Sequence, residues 1–167
     1  NTFLGANQEL TDDEVEKDEL AASEWLYMEG YLVTDDERTE VAQKTMAFAK
    51  EQGVKTSLSL SDPFVVEVFA QNMAKVIGNG VDLLFCNQDE ALSYTQSKDL
   101  ESAIEGLKGI AKTFVITQGE HGATAFDGQT LMSTQGVNTE DMTEARSSNF
   151  LNALTSCICI FSSCIFA

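Results

Sequence analysis

The stretch from 112 to 128, KTFVITQGEHGATAFDG, constrains the fold more than any other part of the chain. Its apolar run at 114–116 is typical of a strand buried on both faces. Alternation of apolar and polar residues resumes at 122–127, and the Asp-Gly pair at 127–128 predicts another turn. The stretch therefore predicts a strand, a glycine loop and a second strand.

The loop between these two strands runs from Thr117 to Gly122 and has the pattern T-x-G-x-x-G. Glycines let backbone N–H groups approach a phosphate closely, and a threonine at a strand end adds a hydroxyl. Because the loop leads into a strand, it is not the dinucleotide fingerprint, which opens a helix. Taken alone, the pattern more often marks a turn that needs two glycines with positive φ.

The composition supports one folded domain and excludes two classes of partner. The 167 residues are 43% hydrophobic, which is enough for a chain of this length to bury a core. There are 27 acidic and 10 basic residues, and the net charge of −17 repels nucleic-acid phosphates and anionic membranes. We therefore expect neither a nucleic-acid partner nor a membrane partner.

The termini and the cysteines favour a cytoplasmic protein. The first residues, NTFLGA, predict a strand rather than a signal peptide. The cysteines lack the spacing of a secreted disulfide framework, since they stand at positions 86, 157, 159 and 164. The last apolar stretch contains Asn152 and is shorter than the roughly 20 residues that a membrane-spanning helix needs, so we expect no membrane anchor.

Strand and helix patterns alternate along the rest of the chain. Apolar or alternating runs predict strands at 24–33, 54–60 and 81–86. Helical periodicity with capping residues predicts helices at 35–52, 62–77 and 99–111, with another entered at 87. This alternation is typical of a mostly parallel sheet covered on both faces, with ligands at the carboxyl ends of its strands.

Asn87 and Glu90 follow the strand predicted at 81–86. Such an N-x-x-E pattern is typical of a capping box, in which the two side chains satisfy the free N–H groups of a helix start. A carboxylate in that position can also hold Mg²⁺ through water beside a nucleotide phosphate. Because the predicted topology puts this pattern at the same sheet edge as Thr117, the two motifs together favour a nucleotide site.

These motifs, with other segments, resemble the PfkB carbohydrate kinases of the ribokinase-like superfamily, most closely its adenosine-kinase-like bacterial members. The likeness runs from about Thr2 to Glu140. The segments that carry it are GYLV at 30–33, LSLSDPF at 58–64, DLLFCNQDEA at 82–91, FVITQGEHGA at 114–123 and FDG at 126–128.

The resemblance implies a three-layer α/β/α ribokinase-like fold with a mostly parallel sheet, incomplete at both ends of this chain. It implies transfer of the γ-phosphate of ATP to a hydroxymethyl group of a sugar or nucleoside. Asn87 and Glu90 would then organise phosphate and Mg²⁺, with Glu90 holding the metal through water. The ATP site would be lined by Asn87, Thr117, Gln118, Gly119, Glu120, His121 and Gly122.

The likeness ends near residue 140, so we expect a kinase-like part at 1–140 and a divergent tail at 141–167. The family continues with D-T-x-G-A-G-D, whose last aspartate is the catalytic base. This chain reads DMTEARS from Asp141 to Ser147, which puts Ser147 in place of the base and leaves no catalytic residue. The abrupt change of composition in the tail suggests a shifted reading frame.

Two functions are favoured for the chain, while nothing in the sequence demands a third, a structural or interaction protein that docks through its α/β layer and acid-rich flank. The first is a truncated kinase that is weakly active or inactive, because the family's N-terminal substrate motif and lid strands are expected to precede the segment matched here. The second is a non-catalytic remnant that still binds a nucleotide. The expected partner is a small sugar or nucleoside, and a homo-oligomer is compatible with both functions.

Overall fold

A computed structural model of the chain describes residues 11–136. In chain order the elements are α1 (Lys17–Ala22), β1 (Trp25–Glu29), α2 (Asp36–Glu51), β2 (Lys55–Ser59), α3 (Pro63–Ile77), β3 (Val81–Asn87), α4 (Gln88–Thr95), α5 (Leu100–Lys108), β4 (Ala111–Thr117), β5 (Ala123–Phe126) and β6 (Leu131–Thr134). Short 3-10 turns lie at Asp12–Glu14, Gly30–Val33 and Gly119–His121. Among the helices of this part of the chain, none has the length and apolar character needed to span a membrane.

The strands of residues 11–136 form one sheet, in the order in which they occur in the sequence. β1 to β4 pair in parallel, and β5 and β6 are added in antiparallel orientation. Parallel neighbours need crossovers, which α2, α3 and the α4–α5 pair supply. The predicted α/β class with a mostly parallel sheet is confirmed.

Aspartates begin three of the crossover helices. Asp35, Asp62 and Asp99 cap α2, α3 and α5 by accepting backbone N–H hydrogen bonds of 2.8–2.9 Å. Such a cap satisfies a donor that the first helical turn cannot bond internally. Pro63 follows Asp62 at the first helical position, where its fixed φ fits and its missing N–H costs nothing. Gly78, with φ of 56°, ends α3.

The hydrophobic core lies between the crossover helices and one face of the sheet. Leu58, Leu84, Phe114 and Ile116 enter it from β2, β3 and β4 and are fully buried. Phe114 also packs on Phe126, with ring centroids 5.3 Å apart. Burying a side chain of this size contributes about 1.5–3 kcal/mol to the free energy of unfolding, so the strands that carry the site residues are firmly anchored.

The opposite face of the sheet is less covered. Side chains alternate between the two faces along a strand, so Tyr27, Leu83, Phe85 and Val115 point away from the core. None of these four belongs to the core cluster of the described residues, and all except Leu83 are partly exposed. The apolar packing that residues 11–136 supply is therefore concentrated on the face that contacts the crossover helices.

The strand predicted at 24–33 is shorter than expected. β1 ends at Glu29, and Gly30–Val33 turns as a 3-10 segment toward α2. A Cβ on Gly30 would lie 2.7 Å from the Leu60 carbonyl oxygen and 2.8 Å from Met73 Cε. The turn passes so close to the neighbouring backbone that a side chain there would clash.

The helix predicted at 99–111 also ends early. α5 stops at Lys108, where Gly109 closes the last turn, and Ala111 already belongs to β4. The strand predicted from the opening residues NTFLGA and the tail predicted at 141–167 lie outside the described residues.

Candidate functional site

The carboxyl ends of β3 and β4 bring the two predicted motifs together. Asn87, the last residue of β3, and Thr117, the last residue of β4, are paired positions of the parallel ladder. Adjacent strands lie about 4.8 Å apart, so both motifs share one short stretch of sheet edge. A hydrogen bond of 3.2 Å from Gln118 Nε2 to Gln88 Oε1 joins them directly.

The capping box predicted from Asn87 and Glu90 is present. Asn87 Oδ1 accepts the Glu90 N–H at 2.8 Å, and the Asn87 N–H donates to Glu90 Oε2 at 2.9 Å. A third bond runs from Asn87 Nδ2 to Glu90 Oε1 at 2.7 Å. Both carboxylate oxygens therefore hold the start of α4, and each keeps only part of its acceptor capacity for a ligand.

The Glu90 carboxyl is buried, with 5% exposure. Burial raises its pKa above the ordinary value, and the hydrogen bond from the Asn87 N–H opposes this rise. The carboxylates of Asp62, Asp89 and Glu29 raise the pKa further through like-charge repulsion. This edge of the sheet is therefore strongly negative, so it repels a free polyanion and attracts a cation.

The end of β1 continues the same edge. Ser61 Oγ donates to Glu29 Oε2 at 2.8 Å and accepts the Gly30 N–H at 2.8 Å. The Tyr27 hydroxyl also donates to Glu29. Ser61 has φ of 71°, a left-handed conformation that is uncommon for residues other than glycine. These bonds fix the Glu29 carboxylate close enough to influence Glu90.

The loop after β4 is closed by its own backbone. The N–H groups of Gln118, His121 and Gly122 donate within the loop at 2.8–3.1 Å. These three groups are already used, although the sequence made the whole loop a candidate for phosphate contact. Gly119 and Glu120 supply the remaining N–H groups of the turn, which can donate to a phosphate oxygen.

The two glycines of the loop serve different purposes. Both have positive φ, 57° for Gly119 and 98° for Gly122. A Cβ on Gly119 would meet nothing within 4 Å, whereas a Cβ on Gly122 would lie 2.0 Å from the Thr134 carbonyl oxygen. Gly122 is required by the packing of the loop against β6, and Gly119 faces open space.

The residues that hold Gln118 were not predicted from the sequence. Thr124 Oγ1 donates to Gln118 Oε1 at 3.0 Å and shares another 3.0 Å hydrogen bond with Ser133. With Gln88, a chain of polar side chains crosses from β6 through β5 to α4. One sequence signal for this network was Thr124, a polar residue in a short strand directly after the glycine loop. Thr124 is buried, and a buried hydroxyl needs a hydrogen-bond partner nearby.

The other predicted residues of the loop face solvent. The side chains of Thr117, Glu120 and His121 are exposed. They can therefore reach a ligand without disturbing the core. Ser147, the position aligned with the family's base, lies outside the described residues.

The carboxylates at this edge do not form a metal cage. Residues 11–136 contain no group of three or more histidine, cysteine or acidic side chains arranged to hold a metal ion. Mg²⁺ commonly keeps several waters and takes its other ligands from one or two carboxylates and from substrate phosphates. The bonded, buried carboxylate of Glu90 fits such a contact through water and does not fit a site built from protein ligands alone.

Comparison with known proteins identifies the same architecture. The family described as pfkB family carbohydrate kinase matches residues 1–144. Among solved structures, a probable sugar kinase from Rhizobium etli is 30% identical, with a TM-score of 0.71, and adenosine kinase from Sinorhizobium meliloti is 28% identical, with a TM-score of 0.72. A putative ribokinase II from E. coli, solved in complex with ATP and Mg²⁺, shares the fold at 15% identity and a TM-score of 0.70. None of the curated proteins matches the sequence.

These structural alignments cover most of this chain and less than half of each relative. They include 78% of this chain and 40% of the R. etli chain, 80% and 41% for S. meliloti, and 79% and 44% for E. coli. The matched part of the chain therefore spans about two fifths of the length of these relatives. Because the family model matches 144 of the 167 residues, the chain belongs to the pfkB family of carbohydrate kinases.

Proposed function

We propose that this chain carries the Mg-ATP half-site of a kinase that transfers the γ-phosphate of ATP to a hydroxymethyl group of a sugar or nucleoside. One observation carries the proposal. Asn87 and Thr117 are paired at one sheet edge, and the bond between Gln118 and Gln88 ties their two motifs together. Family membership supplies the class of reaction, and this edge supplies a place for the nucleotide.

The charge of the edge determines which form of the nucleotide binds. Free ATP is a polyanion, and at this edge the carboxylates of Glu29, Asp62 and Asp89 lie close enough to Glu90 to repel its charge. Mg²⁺ neutralises charge on the phosphates, as it does in other kinases. We therefore expect ATP to bind as its Mg²⁺ complex, with Glu90 contacting the hydrated metal through water.

The loop residues have separate tasks in this proposal. Gly119 and Glu120 donate backbone N–H groups to phosphate oxygens, and the Thr117 hydroxyl adds a third donor. Gln118 does not need to touch the nucleotide. Its bonds to Gln88 and Thr124 keep the loop in register with α4, so that both motifs face the same ligand.

A second function, a nucleotide-binding module without turnover, has its own support in the sequence. The segment from Asp141 to Ser147 replaces the glycine motif and the base aspartate of the family. A positioned base contributes about 10²–10⁴ in rate, and each anion-hole donor a comparable factor. Loss of both removes most of the acceleration while leaving the nucleotide edge intact.

Calorimetric titration tests the half-site. We expect Mg-ATP to bind with a dissociation constant of about 1 mM, near −4 kcal/mol, and ATP in EDTA to give no binding. Gly119→Ala should weaken binding, because its Cβ enters the space assigned to phosphate. Gly53→Ala is the matched control, since Gly53 also has positive φ, at 76°, and open space around it, on the connection between α2 and β2. Equal binding by the two variants would contradict the assignment.

A coupled kinase assay with ribose, fructose and adenosine separates the two functions. Mg-ATP binding without turnover would identify a binding module, and turnover above background would identify a kinase. If that turnover is lost in Ser147→Ala, Ser147 takes part in the reaction, and our inference that the chain lacks a base is wrong.

A further inference from the structure

A cavity of about 320 Å³ lies where β2, β3 and β4 begin. Its charged lining consists of three lysines and one aspartate: Lys50 near the end of α2, Lys108 at the end of α5, Lys112 at the start of β4 and Asp82 at the start of β3. Three positive charges and one negative charge give it a net charge of +2. The whole chain carries −17, so this cavity is a local region of opposite sign.

The cavity is separate from the candidate nucleotide site. Asp82 and Asn87 lie at opposite ends of β3. Five residue steps at about 3.3 Å each put them about 16 Å apart along the strand. A ligand here therefore contacts none of the residues assigned to ATP.

Asp82 is already fully engaged in the wall of the cavity. Its Oδ1 accepts from Lys112 Nζ at 2.6 Å, and its Oδ2 accepts the Thr56 N–H at 2.8 Å. Burial alone would raise the pKa of this carboxyl, but the Lys112 ammonium and the Thr56 hydrogen bonds hold it below the ordinary value. Asp82 therefore stays ionised and fixes Lys112, while it neutralises only one of the three lysines.

The other two lysines lack a carboxylate partner in the cavity lining. Lys50 Nζ donates to the neutral carbonyl of Ile77 at 2.9 Å. Burial lowers the pKa of Lys50, Asp82 opposes this, and the like charge of Lys112 lowers it again. Lys108 donates at 2.5 Å to Glu105, which is mostly exposed, and exposed pairs of this kind are weak. Negative charge inside the cavity would compensate both lysines.

We propose that this cavity binds a doubly charged oxyanion, either inorganic phosphate or the phosphate group of a small metabolite. Ammonium groups donate charge-assisted hydrogen bonds to phosphate oxygens, and Lys50, Lys108 and Lys112 approach the cavity from three different elements. The volume of the cavity lies at the lower end of the range for small-molecule sites, about 300–1,000 Å³. A nucleic-acid backbone is not the source of the phosphate, because the net charge of −17 on the chain repels such a polyanion.

The test is a titration of the ¹⁵N-labelled 167-residue chain with inorganic phosphate at low ionic strength, followed by NMR. The amides of Gly80 and Gly109, which line the cavity, should shift and saturate, and the amide of Gly119 reports separately on the nucleotide edge. Lys112→Ala should weaken the binding about tenfold, as expected for one hydrogen bond to a charged group. Lys112 is 79% exposed, so its replacement leaves the core intact.

Lys44→Ala is the matched control. Lys44 lies on α2 like Lys50, is mostly exposed and pairs with Glu40 outside the cavity. The Lys44→Ala substitution removes the same charge as Lys112→Ala and should leave phosphate binding unchanged. Lys50→Met removes a second lysine of the cavity, from α2 instead of β4, and should also weaken phosphate binding. Lys112→Arg, which keeps the charge, should retain binding.

Glucose 6-phosphate and glucose distinguish the sources of the anion. Tighter binding of glucose 6-phosphate than of phosphate supports a metabolite, and equal binding supports free phosphate. The proposal is overturned if Gly80 and Gly109 do not shift. It is also overturned if Lys112→Ala and Lys50→Met bind phosphate like Lys44→Ala, because the lysines of the cavity would then have no special role.

Discussion

Glu90 is bonded to Asn87 three times, through its own N–H and through both oxygens of its carboxylate. The same two side chains start α4 and are the candidates for contact with metal and phosphate. A loss of nucleotide binding on mutating either of them therefore has two possible causes, a damaged helix start or a missing ligand contact. Measurements of stability have to accompany every binding experiment at this edge.

Asn87→Ala should lower the free energy of unfolding by about 2–4 kcal/mol. About 1 kcal/mol comes from the lost helix cap, and the rest comes from leaving the buried Glu90 Oε1 without the Asn87 Nδ2 donor, while the backbone N–H of position 87 still donates to Oε2. Asp99→Ala removes the cap of α5, which is exposed, and should cost clearly less. Urea denaturation of both variants measures the difference, and equal losses would show that the burial of Glu90 adds nothing.

Gly122→Ala should destabilise the chain far more than Gly119→Ala. The Cβ at Gly122 would meet the Thr134 carbonyl oxygen at 2.0 Å, and relieving such a clash with backbone costs about 3 kcal/mol or more. At Gly119 the cost is the positive φ alone, about 1 kcal/mol. Thermal and urea unfolding should rank the two variants in this order, and the opposite order would contradict the two roles assigned to these glycines.

Asp82 should stabilise the fold in a way that is lost in acid. Its pKa in the folded state lies below the ordinary value of 3.8, because Lys112 and the Thr56 N–H favour the carboxylate. The stabilisation is complete above the unfolded pKa and disappears as the pH falls below about 3.8 through the folded pKa. Asp82→Asn should therefore be less stable than the unmodified chain at pH 7 and should lose less stability on further acidification. Parallel curves of unfolding free energy against pH would disprove this.

Cys86 should resist alkylation in the folded chain. Burial, and then the charge of Glu90, raises the pKa of its thiol to about 12, so almost no thiolate forms at pH 8. Mass spectrometry after iodoacetamide treatment should find the peptide of Cys86 unmodified in buffer and modified in urea. Rapid labelling in buffer would mean that β3 is more accessible than the structure shows.

The chain should associate with itself through the strand β6. Leu131 and Met132 on this strand are each 41% exposed, and β6 ends the sheet formed by the described residues. Exposed apolar strands at a sheet edge favour pairing between molecules, and a lysine there opposes it. Sedimentation velocity should show association that rises with concentration and falls in Met132→Lys. Gln129→Lys adds the same charge in the preceding turn and should change association less.

Much of the fold was predictable because its signals are local. The apolar strand after position 81 needs only its own residues and the glycines before it to be recognised. Asp62 with Pro63 marks the start of α3 in the same way, since capping depends on atoms within one turn. The shared edge of Asn87 and Thr117 followed from one rule of topology, that parallel strands end on the same side of the sheet.

Features that depend on distant parts of the chain were not predictable. A glycine at position 30 is itself typical of a close backbone approach, but its contact atoms belong to Leu60 and Met73, which lie 30 and 43 positions further along the sequence and which no local pattern identifies. The bond between Gln118 and Gln88 depends on side-chain positions set by two different strands. The raised pKa of Glu90 likewise results from burial under several elements, which no single motif encodes.

Each strand of the sheet pairs with the strand made just before it. A chain that leaves the ribosome amino end first can therefore place β2 on β1, β3 on β2 and β4 on β3 while synthesis continues. Every step closes only the loop that contains one crossover, so no strand has to wait for a distant partner. The candidate nucleotide edge needs β3, α4, β4 and the β5–β6 hairpin, so within residues 11–136 it is completed last during synthesis.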